Sequence, residues 1–171
     1  QAMSTILLPH LTRLRDDDAG RRRLTPIIAR NVLLALVIIA GIAFLLAPTL
    51  TLALYGRTFL PASRILRLML PGVVAFALGT VLKSDLHAQG RPGVVAVAAT
   101  VAVIVNLLAN LMLIPRFGIS GAAIASTLSY GLDAALVLLA YWRLTRIPLT
   151  ETLLPGKSDL KLWRSLARET L

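Results

Sequence analysis

Cysteine is absent from the 171-residue chain, which excludes a disulfide scaffold, a thiolate metal site and a cysteine nucleophile. Acidic residues are scarce: eight Asp and Glu stand against 18 Lys and Arg, a formal net charge of +10. Charged residues make up 15% of the chain, where about 25% is usual for a soluble domain. Aromatics reach only 5%. His10 and His87 are the two histidines, and neither has a set of Asp, Glu or His at metal-ligand spacing. No GxGxxG, Walker A or GxSxG pattern occurs. The sequence therefore offers no enzyme site, no metal site and no cofactor site.

What fills the chain is apolar. Strongly hydrophobic residues make up 57% before glycine is counted, where a soluble domain reaches about 45–50% with glycine included. This excess argues against a soluble domain, a disordered tail and a coiled coil. A soluble protein with so basic a balance would be a nucleic-acid candidate. Here the charges lie between long apolar runs, so a basic membrane protein is the simpler reading and no nucleic-acid partner is expected.

The apolar runs set the fold class. A helix needs about 20 residues to cross the hydrocarbon of a bilayer. No charge falls in the 26 residues between Arg30 and Arg57 or in the 24 between Arg91 and Arg116. The gap from Arg67 to Lys83 is shorter, but suffices if Ile65 and Leu66 join it and the flanking cations snorkel. From Phe117 to Trp142 only Asp133 interrupts. The expectation is an all-α polytopic bundle with spans at about 31–54, 65–86, 93–114 and 118–142. Residues 1 to about 12 read as the end of a fifth span. Since the chain starts at Gln1 within an apolar run, it is expected to be a piece of a longer protein.

Glycine and proline mark short links at Tyr55–Ser63, His87–Gly93 and Pro115–Gly121, which predict antiparallel neighbours. One side of the predicted topology collects 13 Lys and Arg and the other four. The positive-inside rule then puts both ends of the chain in the cytoplasm. Residues 1–147 form the expected transmembrane unit and 148–171 a cytoplasmic tail. In that tail Ser158-Asp159 can cap a basic amphipathic helix carrying Trp163. Asp16-Asp17-Asp18 has the look of a metal-binding DxD, but it adjoins Arg21-Arg22-Arg23 with no nucleotide-binding pattern around it, and reads as a solvated charged loop.

Polar residues inside the spans are the candidate sites. Asn106 and Asn110 share a helix face with Ala99, Ala102 and Leu113. Amides in hydrocarbon need partners, so helix-to-helix hydrogen bonding is favoured over substrate contact. Gly72, Ala75 and Gly79 give one span a small face; Gly118, Gly121, Ala122 and Ala125 do the same for another. Pro48 and Pro71 predict kinks. Asp133 sits about two-thirds of the way along the last span, where a lone carboxylate costs several kcal/mol. Lys83 lies at comparable depth, and the two are expected to meet or to share a hydrated cavity. Such a pair is either a structural salt bridge or a coupling and gating site.

A resemblance sharpens the reading. NLLANLMLIPRFGISGAAIAST (106–127) resembles a helix–turn–helix signature of Wzx-like polysaccharide flippases in the multidrug/oligosaccharidyl-lipid/polysaccharide (MOP) superfamily. LYGRTFLPA (54–62) with LMLPG (68–72), LHAQGRPG (86–93) and STILLPHLTRL (4–14) resemble the flanking segments, so that the likeness covers 1 to about 147. The resemblance implies the carboxy-terminal lobe of a two-lobed transporter of the inner bacterial membrane, working with an amino-terminal lobe absent from this chain. It implies alternating access and an undecaprenyl-diphosphate-type lipid-linked glycan, a polysaccharide or lipopolysaccharide precursor, as cargo. It also suggests a role for Arg64 and Arg67, whose guanidinium groups suit a diphosphate; as plain residues they read as interfacial anchors. A cation-coupled multidrug exporter of the same superfamily is the alternative. A membrane-embedded glycan polymerase or ligase fits less well, because the expected outer loops are short.

Overall fold

The computed structural model describes residues 18–153 of the chain. Five α-helices follow one another: α1 (Asp18–Tyr55), α2 (Ala62–Ala88), α3 (Pro92–Phe117), α4 (Ile119–Thr145) and the single-turn α5 (Leu149–Leu153). A 3₁₀ turn, Arg57–Phe59, lies between α1 and α2. No strand occurs among the described residues. Four helices are long and apolar enough to cross a membrane, over Thr25–Tyr55, Ala62–Ala88, Pro92–Phe117 and Ile119–Thr145. The protein is thus an all-helical, multi-pass membrane bundle.

The helices enclose most of the apolar stretches expected from sequence and run past them. α1 begins at Asp18, so residues 18–30 continue the helix instead of forming the charged loop expected there. Pro115 does not stop α3, which continues to Phe117; the stop is Gly118, whose φ of 57° a side chain would oppose. For that reason α4 starts at Ile119, one residue later than expected. Gly90, at φ 70°, makes the tight turn between α2 and α3, and Pro92 opens α3 in the first turn, where its missing N–H costs nothing. The expected end of an earlier span (residues 1–12), Asp16 and Asp17, and the amphipathic helix of 158–171 lie outside the described residues.

Packing order differs from chain order. α2 packs most extensively against α4, α4 against α3, and α1 against α2. α2 and α3, although joined by a turn of three residues, barely touch. The expectation that each short link joins packed neighbours therefore fails for this pair. The cause is visible in the small residues. A Cβ added to Gly72 would lie 2.7 Å from Cα of Thr127, and one on Gly79 would lie 3.4 Å from Cα of Ala134. α2 and α4 meet backbone to backbone there, running parallel, and leave α3 to lie on the far side of α4. Gly121 allows the α3–α4 turn to close, because a Cβ there would stand 2.3 Å from the Leu113 carbonyl oxygen.

The core gathers near the Gly90 end, where Ala29, Leu78, Leu82, Leu86, Val95, Ala98, Val137 and Tyr141 cluster. The opposite end, at Gly56 and Gly118, is less buried. Only 6% of the most apolar stretch of α1 is buried, against 33% for α4. Leu45, Leu54, Leu107 and Leu111 each leave more than half their surface open. Such apolar surface is stable only in lipid or against further protein, which agrees with a membrane bundle whose inner element is α4.

Candidate functional site

The site is built on the α2–α4 contact. Close approach at Gly72 and Gly79 brings Lys83 of α2 and Asp133 of α4 together, with Lys83 Nζ donating to Asp133 Oδ2 at 2.5 Å. The side chains are 17% and 6% exposed. Asp133 stands 12 residues before the end of α4 and 14 after its start, so at 1.5 Å per residue the carboxylate is about 20 Å from either end. Lys83 is nearer the Gly90 end of its own helix. Side chains on a helix tilt toward its N-terminus, and this tilt carries the ammonium back toward the middle of the bundle. Phe76, two turns earlier on α2, places its ring 5.7 Å from Nζ, and Tyr130 of α4 packs on Phe76 with ring centroids 5.1 Å apart.

The pair is asymmetric. Asp133 Oδ1 is buried and receives no hydrogen bond. One carboxylate oxygen is thus held by Lys83 while the other has no protein donor. Such a carboxylate depends on its single cation, because a buried charge without a partner costs far more than the pair itself contributes.

A second polar group lies between α3 and α4. Asn106 Nδ2 donates to Ser129 Oγ at 3.0 Å. Asn110 Nδ2 donates to both the side-chain and the backbone oxygen of Asn106, each at 2.9 Å. Ser129 Oγ in turn donates to the Ser126 carbonyl. Ser129 lies one turn before Asp133 on α4, so the amide chain and the ion pair occupy successive levels of that helix. A third group ties α1 to α2 near the Gly90 end. Asp85 is 7% exposed and accepts from Thr25 Oγ1 at 3.1 Å and from Gln89 Nε2 at 2.5 Å. Sequence inspection had not singled out Asp85, which stands two residues from Lys83 and was hidden in a polar run at a helix end.

Arg64 and Arg67 lie near the start of α2. Arg64 is exposed. Arg67 is half-buried, and its Nε donates to the Phe44 carbonyl of α1 at 2.9 Å while its guanidinium lies 5.1 Å from the Phe44 ring centroid. The arginines are not brought together with the Lys83–Asp133 pair, since Lys83 sits about four turns beyond Arg67 along α2. Among the described residues no group of three or more His, Cys, Asp or Glu could hold a metal ion.

A multi-pass bundle with an ion pair buried midway along its spans and prolines within them is a build that membrane transporters use. The family follows from comparison with known proteins. A family model described as the lipid II flippase MurJ matches residues 1–162, and the chain belongs to that family of MOP-type flippases. Over 82 residues it is 33% identical to a probable low-salt glycan biosynthesis flippase, Agl15, of Haloferax volcanii, an alignment covering 48% of this chain and 17% of that protein. Over 101 residues it is 30% identical to an uncharacterized membrane protein, MJ1068, of Methanocaldococcus jannaschii, covering 57% of this chain and 20% of that protein. The matched part is therefore about a fifth of the length of these curated relatives. No solved structure matches. The flippases of this family are transporters rather than enzymes.

Proposed function

We propose that the chain is the carboxy-terminal lobe of a flippase that moves a lipid-linked glycan across the bacterial inner membrane. The observation that carries this reading is the flippase family match over nearly the whole chain, seconded by the likeness to a glycan-biosynthesis flippase. In this reading the unit 1–147 works with a second, amino-terminal lobe. The two alternate between inward-open and outward-open arrangements, and the glycan and its diphosphate cross between them while the lipid tail stays in the bilayer. Both chain ends are cytoplasmic, the Gly56 and Gly118 turns face outward, and 148–171 lies on the cytoplasmic surface.

Lys83 and Asp133 are the proposed gating residues. A buried pair with one oxygen otherwise unserved has two distinct arrangements available, joined or hydrated apart, and a conformational change that admits water favours the second. Arg64 and Arg67 are the proposed contacts for the diphosphate. Arg67 spends Nε on the Phe44 carbonyl, and a guanidinium has further N–H donors for phosphate oxygens. Asn106 and Asn110 hold α3 to α4. A cation-coupled drug exporter would call for a cavity rich in aromatics, and a chain with 5% aromatics is poorly supplied for one.

The test is genetic and chemical. Depletion of the full-length protein should make a diphosphate-linked lipid glycan accumulate on the cytoplasmic side of the membrane. Normal distribution of such lipids, together with greater sensitivity to hydrophobic drugs, would replace this reading with the exporter.

A further inference from the structure

We propose that Arg67 is a positioning residue, a pin that replaces the backbone hydrogen bond Pro48 removes from α1 and so makes the last turns of that helix a hinge controlled from α2. Pro48 sits inside α1. Proline has no N–H, so the carbonyl four residues earlier loses its helical partner. That carbonyl belongs to Phe44, and it is the one to which Arg67 Nε donates, at 2.9 Å from a helix 23 residues away in sequence. In hydrocarbon an unserved carbonyl costs several kcal/mol, so a cross-helix donor at this atom has a defined task. The cation–π contact with the Phe44 ring fixes the same guanidinium from a second side.

Little else holds the segment beyond the break. Between Pro48 and Tyr55 only Thr51 is buried, and Leu50, Leu52, Leu54 and Tyr55 are exposed. Thr51 Oγ1 donates to the Ala47 carbonyl at 2.7 Å, a back-bond of the kind that bends helices. α1 is also long: its apolar part, Thr25–Tyr55, has 31 residues, about 46 Å against roughly 30 Å of hydrocarbon, and such an excess is relieved by tilt or by bending. A proline break that one arginine closes is therefore the point at which the far end of α1 can swing relative to α2. Pro71 of α2 deprives a different atom, the Arg67 carbonyl, of its helical donor; it lies beside the close α2–α4 contact, where Thr127 donates to the neighbouring Leu68 carbonyl at 2.6 Å and the backbones are packed together. This inference does not depend on Arg67 binding phosphate.

The test is amide hydrogen exchange over residues 49–55 of the full-length protein in lipid, with three variants. Arg67→Met removes the donor; a charge-assisted hydrogen bond with a cation–π contact sets the expected rise in exchange at about tenfold or more. Arg67→Gln keeps an N–H at the same number of bonds from the backbone as Nε, without the charge or the cation–π contact, and exchange should fall between the parent and Arg67→Met. Pro48→Ala combined with Arg67→Met restores an N–H to the Phe44 carbonyl from within α1 and should return exchange to the parent level. Unchanged exchange in Arg67→Met, or no rescue by Pro48→Ala, overturns the pin. If Arg67→Met does not accumulate in the membrane, rescue is read as protein amount: recovery in the double variant supports the pin and continued absence overturns it. Loss of transport in Arg67→Gln with exchange well below that of Arg67→Met would assign phosphate binding to Arg67 as well, leaving the pin in place.

Discussion

Breaking the Lys83–Asp133 pair from each side should have unequal effects, and the inequality follows from the geometry. Lys83→Met leaves the buried Asp133 carboxyl without its cation, with Oδ2 stripped of its donor and Oδ1 already without one. Removal of one member of a buried pair typically costs about 3–5 kcal/mol, and this is the worse side. Asp133→Asn leaves the ammonium, but Lys83 has a flexible four-carbon stem, is partly exposed and lies five residues from the end of α2. It can turn toward the Gly90 end and reach polar surroundings, so the loss should be nearer about 1–2 kcal/mol. The double variant Lys83→Met/Asp133→Asn removes both charges and should lose clearly less than the two single losses added together, since no unpaired buried charge remains. The assay is a double-mutant cycle on thermal unfolding of the full-length protein in detergent. Additive effects, each under about 0.5 kcal/mol, would refute the reasoning, as would a larger loss in Asp133→Asn than in Lys83→Met.

Further outcomes rest on individual contacts. Gly72→Ala places a Cβ 2.7 Å from backbone of Thr127; helices α2 and α4 must part, and a loss of about 2–3 kcal/mol is expected in the same unfolding assay. Gly121→Ala meets the Leu113 carbonyl at 2.3 Å and should reopen the α3–α4 turn, read as protease cleavage near Gly118 that the parent resists. Asn106→Leu removes the bond to Ser129 at a cost of about 1 kcal/mol or less, and transport should persist; abolished transport with unchanged stability would make Asn106 a functional residue. Thr25→Val removes a donor from buried Asp85, and should lower stability by about 1–2 kcal/mol.

The membrane helices were legible because charge-free runs of sufficient length have few other uses. The Lys83–Asp133 juxtaposition could be suspected because two opposite charges within spans have a strong reason to meet. Their geometry could not be read, since it depends on how α2 meets α4, and Gly72 and Gly79 reveal a small face without naming the helix that covers it. The separation of α2 from α3 was missed for the same reason: link length limits distance at one end only, while backbone approach decides which helix is adjacent. Arg67 shows the other limit. Pro48 announces a free carbonyl at Phe44, but the donor comes from a different helix, and nothing local to either residue identifies it. The link expected at Pro115–Gly121 locates the turn between α3 and α4, and the positive φ of Gly118 fixes where within it α3 ends.

The central claim is tested most directly by lipid translocation. The full-length protein is placed in liposomes that hold a fluorescently tagged, diphosphate-linked lipid glycan, and a membrane-impermeant quencher is added outside. The account predicts that quenching proceeds beyond the outer leaflet's share and slows in Lys83→Met. Quenching that stops at the outer leaflet, as in liposomes without protein, would contradict it.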